Sequence, residues 1–194
     1  MFKKVSAKSL CRAGVIAALY VVMSLLLYPL TFGTIQFRLS EALTVLPLFF
    51  AESIPALFIG CLIVNLFSAA GIYDILIGSA ATLLAAICTY LAGKAIKNKI
   101  LKFLVGIIFP VVFNAFAVPL IFVLAGTNEY AYMLEVAIIG GEELGAVAVF
   151  GGILYFALAK IFTVKDKKSS KKPEKPKNRR KSNKTIVCGG EITI

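Results

Sequence analysis

Residues 32–47 have the sequence Phe32-Gly-Thr-Ile-Gln-Phe-Arg-Leu-Ser-Glu-Ala-Leu-Thr-Val-Leu-Pro47, and this stretch is the most informative part of the chain. It places Gln36, Arg38 and Glu41 at the edge of sequence that is otherwise suited to lipid. Charged side chains near hydrocarbon are costly, and they usually persist there because they pair or contact a polar ligand. The stretch therefore indicates a membrane protein with an internal binding site.

The composition of the whole chain is that of an integral membrane protein. Hydrophobic residues make up 59% of it, and the mean hydropathy is +0.89, far above an ordinary soluble domain. Residues 13–159 are almost continuously apolar, which disfavours a soluble core of this size. The absence of histidine removes imidazole acid–base catalysis and imidazole metal sites. The four cysteines show no CxxC spacing, which favours structural packing over a metal or redox role. We expect no metal and no cofactor, and we do not expect the chain to be an enzyme.

The placement of basic residues predicts the topology. Of the 21 Lys and Arg residues, all but Arg38 lie in three clusters, at residues 3–12, 94–102 and 160–184. Cytoplasmic loops collect Lys and Arg, so all three clusters are expected on the cytoplasmic side. The number of crossings between neighbouring clusters must then be even, which gives four crossings over residues 13–93 and two over 103–159.

The predicted fold is thus an all-α integral membrane protein with six transmembrane helices and cytoplasmic N- and C-termini. The predicted spans are 13–29, 40–51, 54–69, 74–93, 103–125 and 134–160. The second and third are short and contain Pro47 and Pro55, so at about 1.5 Å per residue neither crosses a core of about 30 Å unaided. We expect one of them to be short or partly broken, which is tolerated only where protein or a cavity covers the freed backbone groups.

Two regions follow from the composition. We expect residues 1–162 to form a six-helix membrane domain that contains the predicted substrate-binding site, and residues 163–194 to form a basic, disordered cytoplasmic tail rich in Lys, Ser and Pro. Contact of this tail with anionic membrane lipid is the alternative to a purely solvated tail. No nucleic-acid binding is expected, because no aromatic residue is interleaved with the basic charge.

Small residues on the first helix indicate close helix packing. Ala13 and Ala17, overlapping with Gly14 and Ala18, form two pairs spaced by four residues. Such pairs let helix backbones approach closely in lipid. Packing within this chain and docking to a separate membrane partner through Ala13 and Ala17 both remain open.

Polar residues within the membrane domain are the candidates for ligand contacts. The predicted substrate-binding residues are Gln36, Arg38, Glu41, Asn65, Asp74, Asn114, Glu142 and Glu143. Adjacent residues on a helix point about 100° apart, so Glu142 and Glu143 cannot both face one small ligand. The alternative role is hydrogen bonding between helices, above all for Asn65 and for an Arg38/Glu41 pair.

The stretch from Gly33 to Pro47 resembles the signature loop of the QueT family. The similarity continues through Gly60-Cys61 with Asn65, Asp74 with Gly78-Ser79-Ala80-Ala81-Thr82-Leu83, Pro110 with Asn114, and Glu142-Glu143-Leu144 followed by Gly151. It covers about residues 10–160. The doubled Gly-Gly-Glu-Glu at 140–143 departs from the single Gly-Glu-Leu of the family, and the spacing to Gly151 favours Glu143 as the equivalent residue.

This resemblance implies a substrate-binding S component of an energy-coupling factor (ECF) transporter, a multi-pass protein of the bacterial cell membrane. Its implied ligand is a queuosine precursor, a 7-deazaguanine such as preQ1, preQ0 or queuine. A carboxylate would accept the N1 and N2 hydrogens, an Asn, Gln or Arg would donate to O6, and Asp74 or Glu41 would neutralise the ammonium of preQ1. The implied partners are a coupling membrane subunit, which the first helix contacts, and two ATPase subunits.

Two alternatives from other classes remain. An autonomous secondary carrier would predict inverted repeats, yet residues 13–93 and 103–160 show no convincing similarity. A polytopic membrane enzyme acting on lipid would predict paired aspartates, but only Asp74 and Asp166 exist. The chain also lacks the G-x-x-x-x-G-K-[ST] phosphate loop, which agrees with ATP hydrolysis by separate subunits.

Overall fold

The computed structural model describes residues 6–31 and 38–170, and within these ranges the secondary structure is helical, with no strand. The regular helices are α1 (Ala7–Leu26), α2 (Tyr28–Thr31), α3 (Ser53–Asn65), α4 (Ser79–Ala95), α5 (Lys99–Ala125), α6 (Tyr132–Ala146) and α7 (Gly152–Ser170). A 3-10 segment (Leu39–Leu48) precedes α3. One π-helical turn (Asp74–Gly78) leads into α4, and another (Val147–Gly151) joins α6 to α7.

The distribution of apolar helices confirms the all-helical architecture for the described residues. Four continuous spans are long and apolar enough to cross a membrane: Ala7–Leu26, Asp74–Ala95, Lys99–Ala125 and Tyr132–Phe162. Two shorter apolar segments, Leu39–Leu48 and Ser53–Asn65, lie between the first two of these. They correspond to the predicted second and third spans. The exact number of crossings and the cytoplasmic position of the termini stay predictions.

The 3-10 segment lies inside the bundle. Every residue from Ser40 to Leu48 is buried. Ten residues at about 2.0 Å per residue extend only about 20 Å, less than the thickness of the hydrocarbon core. Because the surrounding helices cover this segment, its irregular backbone is kept away from lipid, as such a backbone must be.

Glycines allow the long helices to close around the 3-10 segment. A Cβ atom at Gly106 of α5 would lie 2.8 Å from Cδ1 of Leu48, and one at Gly151 would lie 3.0 Å from Cγ1 of Val45. Both distances are shorter than ordinary carbon–carbon contact. Glycine at these two positions therefore determines how closely the 3-10 segment packs against its neighbours.

The Lys-rich α4–α5 loop and the distal end of α7 lie at one end of the bundle. The hydroxyl of Tyr155 in α7 donates a hydrogen bond of 2.9 Å to the carbonyl oxygen of Lys99, where α5 begins. Helix α7 continues to Ser170, so the first eight residues of the predicted tail extend this helix. The rest of that predicted tail, residues 171–194, lies outside the described residues.

Candidate ligand-binding site

Six of the predicted site residues converge in the half of the bundle away from the Lys-rich loop. Four helical elements and the 3-10 segment supply them, and none is more than 6% exposed. They are Arg38 and Glu41 at the start of the 3-10 segment, Asn65 at the end of α3, Asp74 in the first π turn, Asn114 in α5 and Glu143 in α6.

Arg38 forms a buried ion pair with Asp74. Its Nη2 atom lies 3.8 Å from Oδ2 of Asp74, which ties the start of the 3-10 segment to the π turn before α4. The suggested Arg38/Glu41 pair is replaced by this contact, although Glu41 is close enough for its charge to act on Arg38. The second carboxylate oxygen of Asp74, Oδ1, has no hydrogen-bond partner among the described residues.

Tyr20, which sequence reasoning missed, holds Glu41. Its hydroxyl donates a hydrogen bond of 2.7 Å to Oε1 of Glu41, and both side chains are fully buried. Oε2 of Glu41 has no hydrogen-bond partner within the described part of the chain. A buried tyrosine hydroxyl usually finds a partner, and Tyr20 lies seven residues after Ala13 on the face with small residues. This seven-residue spacing is the sequence signal that could have identified Tyr20 as an inward-facing residue.

Asn114 and Glu143 join α5 to α6. The amide nitrogen of Asn114 donates a hydrogen bond of 2.9 Å to Oε1 of Glu143. Glu143 also lies close enough to Glu41 and Arg38 for their charges to interact. Glu142 is only half-buried, one position further around the helix. The geometry therefore favours Glu143 as the inward-facing member of the adjacent pair.

Asn65 connects α3 to the start of the α4 span. Its amide nitrogen lies 2.9 Å from the carbonyl oxygen of Asp74 and 3.4 Å from the hydroxyl of Ser79. A Cβ atom at Gly78 would lie 2.6 Å from Oδ1 of Asp74 and 2.9 Å from the same amide nitrogen. Asn65 thus has the helix-bridging role considered for it, and Gly78 provides the space for that contact.

The other predicted residues are not part of this cluster as the structure describes it. Gln36 lies outside the described residues. Ala13 and Ala17 are half-buried and pack against the core formed by α1 and α3, while Gly14 has no atom of another residue near its Cβ position. Docking through Ala13 and Ala17 stays a prediction.

The cluster is rich in hydrogen-bond acceptors. Three buried carboxyl groups, of Glu41, Asp74 and Glu143, face the single guanidinium of Arg38. Buried polar atoms are normally hydrogen-bonded, so the open acceptors on Glu41 and Asp74 favour a ligand rich in N–H donors or carrying a cation. Within residues 6–31 and 38–170, no group of three His, Cys, Asp or Glu residues is suited to a metal ion.

Comparisons with known proteins identify the family. Neither the comparison with curated proteins nor that with solved structures gives a significant match. A family model described as QueT transporter matches residues 10–160, which include all six residues of the polar cluster and all six predicted spans. The resemblance noted in the sequence is thereby confirmed, and it implies a membrane transport role. The chain belongs to the QueT transporter family.

Proposed function

We propose that this chain is the S component of an ECF transporter, a membrane subunit that binds a 7-deazaguanine for uptake into a bacterial cell. The observation that carries this proposal is the buried cluster of Glu41, Asp74, Asn114 and Glu143 around Arg38. Family membership supports transport, and the cluster supports a small ligand that offers several donors.

The donor pattern of a 7-deazaguanine matches the open acceptors. Glu143, with Glu41 beside it, accepts the N1 and N2 hydrogens of the guanine-like edge as charge-assisted bonds. Asn114 uses one amide hydrogen on Glu143, and its second hydrogen is available to O6 of the ligand. In preQ1 the ammonium group pairs with Asp74, whose Oδ1 lacks a partner among the described residues.

A calorimetric screen of the purified chain tests this assignment. PreQ0, preQ1, queuine and guanine are each titrated into the detergent-solubilised protein, with hypoxanthine as the matched control because it lacks the N2 amino group. We expect binding of at least one deazaguanine and much weaker binding of hypoxanthine. Equal binding of hypoxanthine, or no binding of any deazaguanine, contradicts the proposed ligand.

Energisation by separate subunits is a distinct part of the proposal. Membrane vesicles containing this chain alone should bind the ligand without accumulating it, and addition of a coupling subunit and two ATPase subunits should allow ATP-dependent uptake. Accumulation by the chain alone would instead indicate an autonomous secondary carrier.

Docking to the coupling subunit is proposed at Ala13 and Ala17, where a bulky side chain prevents close helix approach. Ala17→Trp should abolish uptake by the assembled transporter and leave ligand binding intact. Leu19→Trp is the control, because Leu19 is 47% exposed and points about 160° away around α1. If Ala17→Trp weakens ligand binding while the complex still assembles, this face belongs to the ligand site.

A further inference from the structure

Two buried hydrogen bonds join α1 to the start of the 3-10 segment. The hydroxyl of Tyr20 donates to Oε1 of Glu41, and the hydroxyl of Ser24 donates to that of Ser40, each over 2.7 Å. None of these four side chains is more than 1% exposed. Tyr20 and Ser24 are four positions apart and therefore lie on one face of α1. This face holds the start of the 3-10 segment, and through Tyr20 it reaches the carboxylate of Glu41 itself.

The position of the Tyr20 ring is determined by its packing against α3. A Cβ atom at Gly60 would lie 3.0 Å from Cβ and 3.2 Å from Cγ of Tyr20, closer than ordinary carbon–carbon contact. The ring also belongs to the buried core that contains Leu57 and Cys61 of α3. Close-packed core side chains remain in one rotamer on average. Helix packing therefore directs the Tyr20 hydroxyl to one place in the bundle.

This hydroxyl restrains the carboxylate of Glu41. A hydrogen bond from a hydroxyl to an ionised carboxylate is charge-assisted, and 2.7 Å is a distance expected for such a bond. Because the carboxylate is planar, holding Oε1 toward α1 restricts the direction in which Oε2 points. Arg38 and Glu143 lie close enough for their charges to act on Glu41. Glu41 thus lies between the tyrosine on one side and the polar cluster on the other.

Glu41 and Glu143 together suit a group that carries several N–H hydrogens. Two neighbouring carboxylates disfavour each other's charged form, and a donor group placed between them relieves this repulsion. The amino group at position 2 of a guanine-like edge carries two hydrogens. When Glu143 accepts N1–H and one N2 hydrogen, the second N2 hydrogen is left for Glu41.

We propose that Tyr20 is a positioning residue that makes the site selective for a ligand with this amino group. It holds Glu41 in the orientation that accepts the second N2 hydrogen, and it acts through Glu41 without contacting the ligand. This role rests on the binding of a 7-deazaguanine proposed above, and it places a residue of α1 among those that determine specificity.

Calorimetry on the full chain with 7-deazaguanine and 7-deazahypoxanthine, which differ only in the N2 amino group, measures this selectivity. Tyr20→Phe keeps the packed ring and removes the hydroxyl. It should weaken binding of 7-deazaguanine about tenfold, equivalent to the net loss of one hydrogen bond, and binding of 7-deazahypoxanthine less than about twofold. The ratio of the two affinities should therefore fall, whereas general destabilisation would weaken both ligands alike.

Two control variants separate this role from a purely structural one. Tyr155→Phe removes the hydroxyl of another buried tyrosine, whose partner is the carbonyl oxygen of Lys99, about 22 Å from Asn114 along α5. It should lower the midpoint of thermal unfolding and leave the ratio of affinities unchanged. Ser24→Ala should also leave the ratio unchanged, because the partner of Ser24 is Ser40 and not the carboxylate.

The possible outcomes distinguish this role from the proposed function. If the parent chain binds neither deazapurine, or binds both equally, the proposed function fails and the role of Tyr20 fails with it. If the parent prefers 7-deazaguanine and Tyr20→Phe keeps that preference, or weakens both ligands equally, the role of Tyr20 alone is refuted. An equal fall of the ratio in Ser24→Ala would show that anchoring of the 3-10 segment, and not orientation of Glu41, sets the selectivity.

Discussion

The two halves of the bundle differ in the burial of their charged side chains. In one half Arg38, Asp74 and Glu143 are almost completely buried, and the contacts between helices fix their geometry. In the other half Lys97 and Lys99 are exposed to the surroundings. Buried charges depend strongly on their partners, whereas exposed charges interact weakly and mainly set orientation and attract anions. Substitutions in the two halves should therefore differ in size and in kind.

The largest expected difference concerns the side of the membrane on which each half lies. Lys97 and Asn128 flank α5, whose 27 residues extend about 40 Å. Single cysteines at these positions, in a background without the native cysteines, should label from opposite sides with a membrane-impermeant maleimide. Position 97 should react only after permeabilisation, because basic loops are retained in the cytoplasm. Labelling of position 97 in intact cells would refute the predicted topology.

The next largest effect is expected in the buried half. Glu143→Gln replaces a charged acceptor with an amide, whose nitrogen cannot accept from the ligand. Loss of the charge-assisted bonds together with an unsatisfied group should cost about 2–4 kcal/mol, or roughly 30- to 1000-fold in ligand affinity by calorimetry.

Glu142→Gln is the matched control for this prediction, since it makes the same change one position along α6. It should change affinity by less than about threefold, because the half-buried Glu142 is rotated away from Asn114. If Glu142→Gln weakened ligand binding more than Glu143→Gln did, the ligand contact would be assigned to Glu142. Unchanged affinity in both would make the cluster a purely structural network.

Much of this arrangement follows from the sequence, but the direction of individual side chains does not. Hydropathy and basic clusters predicted six helical segments with a short second and third, because long apolar runs are a local property. Whether Glu142 or Glu143 faces inward depends on the rotation of α6, which contacts with α5 determine. The same is true of Tyr20, because its partner Glu41 lies 21 positions further along the chain.

A packing prediction concerns the segment that links the two halves. Gly106→Val would place Cβ 2.8 Å from Leu48, a buried side chain of the 3-10 segment. Overpacking of this kind should destabilise the protein by about 1–3 kcal/mol, measured as a lower midpoint of thermal unfolding in detergent. Gly141→Val is the control, because the Cβ position of Gly141 in α6 has no contact within 4 Å. Equal effects of both variants would point to helix propensity rather than packing.

This close packing also explains why the 3-10 conformation could not be predicted. Pro47 and the shortness of the apolar run indicated an irregular helix, but its tighter coiling depends on the space left by distant glycines. Gly106 follows Leu48 by 58 positions, and no local pattern connects the two residues. Sequence periodicity describes single helices, whereas this segment is determined by the helices around it.

The smallest effect is expected at the exposed ion pair of the Lys-rich half. Arg12 and Glu52 are 2.5 Å apart, and their side chains are 45% and 20% exposed. Glu52→Gln should lower stability by less than about 1 kcal/mol, because solvent screens the pair and Arg12 retains its contact with the Phe50 ring, 4.4 Å from the centroid. A double-mutant cycle with Arg12→Gln isolates the coupling energy. That coupling energy should decrease as the salt concentration rises toward 1 M, where the screening length is about 3 Å. The loss of ligand affinity in Glu143→Gln should change little with salt, because that side chain is buried. A coupling of several kcal/mol that is insensitive to salt would mean that this pair behaves as a buried one, and the contrast between the two halves would then fail.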